Sequence, residues 1–286
     1  MTTTVINGLV VRSFGIDDAP LTVLFLHYWG GTARTWYKTI DFLLETNPNI
    51  RAVSFDQRGW GASSKPDDDP AAYTIAGLAA DAEAVLAGLT PTPKRVVIVG
   101  HSMGGKIAQL VAARWKSAAG AQSDPPTLAG LVLVAPAPPS PIILPKEIKQ
   151  DVLRTYDSVD NIRMALQNVL TAANQGAALS DEMAQQVIED STSGGNLARE
   201  SWPERGMSED IEEEVVKGLS GEGKVPTLIV VGEHDKVEPV NLLQEKVLPK
   251  IPEAKLEIIP SVGHLLPLEA ARELGARYIA EFISVL

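Results

Sequence analysis

Apolar positions along the chain fall into two alternating rhythms. Six runs of strand length are apolar with little polar alternation: "LTVLFL" (21–26), "RAVSF" (51–55), "RVVIV" (95–99), "GLVLVA" (130–135), "TLIVV" (227–231) and "KLEII" (255–259). Strands apolar on both faces suit a parallel sheet covered by helices on either side. Stretches with helical spacing lie between them, such as "IAGLAADAEAVLAGL" (75–89) and "KIAQLVAARW" (106–115). Residues 2–14 predict two more short strands, joined at Asn7-Gly8, a tight-hairpin dipeptide. The alternation predicts an α/β fold: a mostly parallel eight-stranded sheet with helices on both faces.

One interval breaks the rhythm. After Ala135 comes the proline-rich "PAPPSPIILP", and residues 146–219 then show helical pieces and no convincing strand. The sequence therefore predicts a core over 1–136 and 223–286, interrupted by a helical lid over 137–222. The alternative is that these helices are simply outer helices of the core. The interval holds 16 Asp and Glu against 7 Lys and Arg, most of the chain's net charge of −11.

The acidic balance disfavours nucleic acid and anionic membrane surfaces as partners. With no cysteine among 286 residues, disulfides, thiolate metal sites and a cysteine nucleophile are excluded. The start, "MTTTVINGLV", has neither the basic region nor the apolar run of a signal peptide, and no stretch reaches the length of a membrane span. A cytoplasmic location is the expectation, and the oligomeric state stays open.

The stretch "RVVIVGHSMGGKIAQLVAARW" (95–115) admits two chemistries. Gly100, Gly105 and Lys106 have the spacing of a phosphate-binding loop. Such a loop needs a hydroxyl after the lysine to hold magnesium, and that position is Ile107. Gly100, Ser102 and Gly104 instead fit G-x-S-x-G, the strained strand-to-helix turn that presents a nucleophilic serine.

A serine hydroxyl is inert near neutral pH without a general base and a carboxylate that orients it. Of four histidines, His234 and His264 follow Ser102. His264 sits in "PSVGHLLPLE", after the strand 255–259. Asp235 lies in "GEHD", at the carboxyl end of strand 227–231, with Glu233 as the competing acid. A carboxylate and an imidazole thus occur in the order serine, acid, histidine at the ends of successive strands. Without paired ligand spacing the histidines predict no metal, and without a G-x-G-x-x-G before a helix the chain predicts no dinucleotide cofactor.

Five motifs in order, "FLHYWGG" (25–31), "SFDQRGWGASS" (54–64), "GHSMGG" (100–105), "VVGEHDKVEP" (230–239) and "SVGHLLPLE" (261–269), resemble the α/β-hydrolase fold superfamily, in particular its lidded esterase, lactonase and perhydrolase-like members. The resemblance covers about residues 20–136 and 225–286. It implies Ser102 as nucleophile, His264 as base and Asp235 as its orienting acid. It also implies an oxyanion hole from the backbone N–H groups of Met103 and Trp29. The chain departs from the common His-Gly at that loop by having His27-Tyr28. Tyr28 then narrows the mouth of the site or lends it a phenol as a substrate contact, or it turns into packing. Alternatively it is the second donor, with Trp29 moving to the substrate. His27, His101, Asp56 and Arg58 read as structural. Trp202 and Met207 are candidates for the pocket, with Trp202 the substrate contact, or else helix-packing core.

The leading expectation is hydrolysis of a neutral, fairly apolar carboxylic ester or lactone through an acyl-enzyme, with no cofactor. The same triad also serves perhydrolases, cofactor-free haloperoxidases and C–C bond hydrolases. Ser102 argues against the dehalogenases and epoxide hydrolases of the superfamily, which carry aspartate there. A non-catalytic receptor on the same fold would be expected to tolerate loss of a triad member, and none is lost.

Overall fold

The computed structural model describes residues 1–118, 126–175, 178–220, 224–252 and 254–286. Its strands are β1 (Thr2–Ile6), β2 (Leu9–Gly15), β3 (Thr22–Leu26), β4 (Arg51–Phe55), β5 (Arg95–His101), β6 (Thr127–Val134), β7 (Thr227–Gly232) and β8 (Lys255–Ile259). They form one sheet in the order β1-β2-β4-β3-β5-β6-β7-β8. β2 pairs antiparallel with both β1 and β4, and every other pairing is parallel. The β1–β2 hairpin turns at Asn7 and Gly8, both at positive φ (50° and 78°), the turn geometry that matches the twist of paired strands.

Alternate side chains of the strands build two cores. One face carries Leu24, Leu26, Val53, Ile98, Leu131 and Ile229. It is covered by α2 (Ile75–Gly88) and α3 (Met103–Ala118), through Val85, Ile107 and Val111. The other face carries Val23, Phe25, Val97, Val99, Val132 and Val230. It packs against Ile40 and Leu43 of α1 (Tyr37–Thr46) and against the C-terminal helical segment, through Leu274, Ile279 and Ile283. Both faces are apolar because both are covered, which is why the central strands show no polar alternation.

Between β6 and β7 lie α4 (Lys146–Leu153), α5 (Val159–Ala165), α6 (Asp181–Thr192), α7 (Asn196–Glu204) and α8 (Glu212–Leu219). After β7 come α9 (Val240–Lys246), α10 (Leu266–Glu269) and α11 (Ala280–Ser284). The helices between β6 and β7 do not behave alike. α8 lies against α3 so closely that a Cβ on Gly218 would stand 2.5 Å from Ala113 Cα. α8 is thus packed as an outer helix of the core, while α6 and α7 border the loop after β3, through Ser191 on Gly30 O and the Arg199 carbonyl on the Trp29 indole, and α4 lies against α7 through Lys149 and Glu204. The sequence boundary expected at 222 and 223 lies outside the described residues. Among the described residues, no helix is long and apolar enough to cross a membrane.

Candidate active site

β5 ends at His101 and α3 begins at Met103, so the chain reverses at Ser102, whose φ is 55°. A non-glycine residue in this region costs about 1–3 kcal/mol and persists only where its surroundings hold it. The Ser102 N–H donates to Val134 O, and its carbonyl accepts from the N–H groups of Gly105, Lys106 and Ala137. The flanking glycines are set by contact. A Cβ on Gly100 would meet Gly104 O at 2.3 Å, and one on Gly104 would meet the Leu26 and His27 carbonyls at 2.5 Å. Lys106 is not available to a phosphate. Its buried ammonium donates to the carbonyls of Gly206, Met207 and Glu209 (3.3, 3.4 and 2.6 Å), and burial lowers its pKa to about 8.

The turn after β7 separates the two candidate acids. Glu233 is exposed and accepts the Ser261 N–H. Asp235 is buried, and its Oδ1 accepts from the N–H groups of Val237 and Glu238 (both 2.8 Å). Its Oδ2 stands 2.8 Å from His264 Nδ1. An ionised carboxylate only accepts, so the proton of this pair belongs to Nδ1 and Nε2 is left with its lone pair free. The next acid along, Glu238, is buried, and its carboxyl is raised well above the usual range by burial first and by the Asp235 charge second. The His264 loop is held against the elbow. His101 Nε2 meets His264 O at 2.8 Å, with the two rings 5.0 Å apart. Among the described residues the Ser102 hydroxyl makes no hydrogen bond. A loose contact to the base is common before substrate binds.

The backbone N–H groups of Tyr28, Trp29 and Met103 have no acceptor among the described residues. Met103 also borders a small cavity, with Trp60, Tyr73, Leu78, Ser201 and Trp202 in its wall. Its free space is about 10 Å³, room for roughly one water. Trp202 thus stands at the cavity, whereas Tyr28 is not in its wall. The Tyr28 ring is buried against His101 (5.2 Å) and its hydroxyl faces Ser191. Met207 is half-buried against the core. His27 accepts the Gln57 N–H at Nε2 (3.0 Å) and meets Tyr28 O through Nδ1 (2.7 Å). Asp56 accepts from the N–H groups of Ala33 and Ala62 and pairs with Arg12, while Arg58 is engaged by Asp81. Among the described residues no three acidic or histidine side chains cluster as a metal site.

A family model described as the alpha/beta hydrolase family matches residues 23–277. The chain belongs to this family. It is similar over most of its length to a bifunctional esterase/perhydrolase of Acinetobacter calcoaceticus, 26% identical over an alignment of 282 residues, with 94% of this chain and 94% of the other covered. Its fold is similar to a bromoperoxidase of Bacillus anthracis, with a TM-score of 0.79, 19% identity and coverage of 96% of this chain and 95% of the other. An esterase of Exiguobacterium antarcticum aligns with a TM-score of 0.77, 20% identity and the same coverage. Family membership makes the chain a relative of hydrolases, and its fold is that of this family.

Two groups of residues around the site were given no role by the sequence: Glu269, which ends the last of the five motifs, and Tyr156 with Ser191, which lie outside all of them. Glu269, five positions after His264, accepts the N–H groups of Gly263 and Leu265 (both 3.0 Å) and of Ala172 (2.8 Å). It brackets the histidine, and Leu170 O takes the His264 and Leu265 N–H groups from the other side (both 3.1 Å). A carboxylate soon after the histidine, at the end of the same motif and of α10, was the available signal. The second group reaches the Tyr28–Gly31 loop from the helices after β6. Tyr156 donates to Trp29 O (2.6 Å) and Ser191 to Gly30 O (2.9 Å). No sequence signal pairs residues so far apart in the chain.

Proposed function

We propose that the protein is a serine hydrolase that cleaves a neutral, fairly apolar carboxylic ester or lactone through an acyl-enzyme. The observation that carries the reading is the buried 2.8 Å contact between Asp235 and His264 Nδ1, beside a serine held at positive φ between a strand and a helix.

In this reading Nε2 of His264 takes the Ser102 proton as Oγ attacks the ester carbonyl carbon. The tetrahedral oxyanion receives hydrogen bonds from the N–H groups of Trp29 and Met103. The imidazolium passes its proton to the leaving alkoxide, and the acyl group stays on Ser102. Water, deprotonated by the same imidazole, then attacks the acyl-enzyme; the acid leaves and Oγ regains its proton. Asp235 holds the tautomer and offsets the charge on the ring. The helices α4 to α7 act as the lid, and Trp202 contacts the substrate. The side chains that wall the cavity, mostly aromatic and aliphatic, support an apolar acyl or alcohol group, for which the water-sized space must widen when substrate binds. Arg58, already paired with Asp81, is a poor partner for a substrate carboxylate.

A second reading follows from the esterase/perhydrolase relative: hydrogen peroxide replaces water as acyl acceptor and the product is a peracid. It uses the same acyl-enzyme.

The test is release of p-nitrophenol from short and medium acyl esters. Wild-type protein turns them over, and Ser102→Ala loses at least about a thousandfold in rate. Equal rates in both proteins, or a preference for carboxylate-bearing esters over neutral ones of equal size, contradict the reading.

A further inference from the structure

The Trp29 residue is gripped at both ends by the segment between β6 and β7. Its carbonyl accepts the Tyr156 hydroxyl at 2.6 Å, and the two rings lie 4.3 Å apart. Its indole N–H points at the carbonyls of Arg199 (3.1 Å) and Ala198 (3.3 Å) in α7. The Arg199 carbonyl is open to it for a local reason. Four residues on, the helix holds Pro203, which has no N–H to return. The neighbouring residue is fitted to the same grip. Gly30 has φ 96°, and a Cβ there would fall 2.2 Å from the Tyr156 oxygen. Tyr156 is itself buried, with its ring edge-on to Trp60 (6.0 Å) and its carbonyl accepting from the Arg199 guanidinium (3.2 Å).

An oxyanion donor works only if it already points where the charge will form. A loop peptide with a free carbonyl can rotate away. The Trp29 N–H lies in one peptide plane with the Tyr28 carbonyl, which is held by His27 Nδ1 (2.7 Å) and the Gly31 N–H (3.0 Å). Fixing the Trp29 carbonyl and indole sets where the Cα and N at the other end of that plane lie, so the two sets of contacts together direct the N–H. We infer that Tyr156 is a positioning residue, which holds the Trp29 N–H in its oxyanion-binding orientation, with the proline-freed Arg199 carbonyl as its second anchor. This rests on the proposed hydrolase reading, and it makes the segment between β6 and β7 a working part of the oxyanion hole as well as a cover.

The test is steady-state kinetics of Tyr156→Phe and Pro203→Ala on an ester that the wild type hydrolyses, with binding of a boronic acid as a tetrahedral anion mimic. Tyr156→Phe keeps the ring against Trp29 and Trp60 and removes only the grip on the carbonyl. We expect kcat and kcat/KM to fall together, by between about fivefold and the hundredfold cost of deleting a donor, while KM moves less than twofold. Boronic acid affinity falls by a similar factor, and binding of the product alcohol does not change. Pro203→Ala offers Arg199 O a helical N–H in competition with the indole. It lowers kcat while the thermal midpoint holds or rises, a split that a purely structural role does not produce.

Full kcat in both variants, or a loss confined to KM or to thermal stability, overturns the inference. Labelling of Ser102 by a fluorophosphonate separates the two failures. If Ser102 labels and Tyr156→Phe keeps full kcat, only the positioning role falls. If turnover survives in Ser102→Ala, the hydrolase reading falls and the inference with it.

Discussion

Asp235 and Glu233 are two positions apart, and only the turn after β7 tells them apart. Asp235 is fixed by two backbone N–H groups that leave Oδ2 for the imidazole, whereas Glu233 is spent on Ser261 at the surface. Asp235→Asn should leave the geometry in place and reverse the tautomer logic, since an amide can donate to Nδ1. Ester turnover is then expected to fall by about 10⁴, with the folded structure retained by circular dichroism; a change under tenfold would assign the acid elsewhere. His27 supports a pH prediction. Burial lowers its pKa to about 4, and its Nε2 needs a lone pair to accept the Gln57 N–H. Unfolded histidine titrates near 6.5, so between about 6.5 and 4 the unfolded chain binds a proton that the folded chain refuses. Stability therefore falls as pH drops through this window. For this one group the loss between pH 7 and pH 5 is about 2 kcal/mol. Urea unfolding at the two pH values should show a smaller loss in His27→Asn than in wild type. Buried His101, lowered in the same direction, retains its share in both proteins.

At the scale of elements, the strands and core helices were legible because their patterns follow from burial alone. β3 to β8 fall on the six apolar runs, and α2 ends at Gly88, near the end of its helical pattern. The elbow was legible because contacts to the carbonyls of β3 and to the first turn of α3 demand small residues at Gly100 and Gly104. The strand order was not legible: β3 sits between β4 and β5, a pairing between distant segments that no local pattern encodes. Nor were the grips of Tyr156 on Trp29 and of Lys106 on the carbonyls of 206–209, which join sites about a hundred residues apart. Lys106 read as half of a phosphate motif because sequence gives its spacing and not its direction. α7 brings Trp202 to the cavity beside Met103. Trp202→Ala should enlarge that cavity, raise the ratio of long-acyl to short-acyl ester turnover, and destabilise the fold by about 3–5 kcal/mol. An unchanged ratio would remove Trp202 from the substrate path.

For the whole molecule, the sheet and its two cores set the carboxyl ends of β3, β5, β7 and β8 along one edge, and Trp29, Ser102, Met103, Asp235 and His264 each follow one of those ends. The segment between β6 and β7 closes over the same edge. It holds the His264 loop through Leu170 O and the Ala172 N–H, and the Trp29 loop through Tyr156 and Ser191. Core and insertion therefore share the site. The insertion lacked a sequence signature because its hydroxyls and carbonyls meet groups of the core more than a hundred positions away, and no local spacing encodes such pairs. The most direct measurement of the central claim is the mass of the intact protein, with peptide mapping, after reaction with a fluorophosphonate. A single adduct on Ser102, absent from Ser102→Ala and slowed at least about a thousandfold in His264→Ala, is the predicted result. No adduct, an adduct on another residue, or equal labelling without His264 would contradict it.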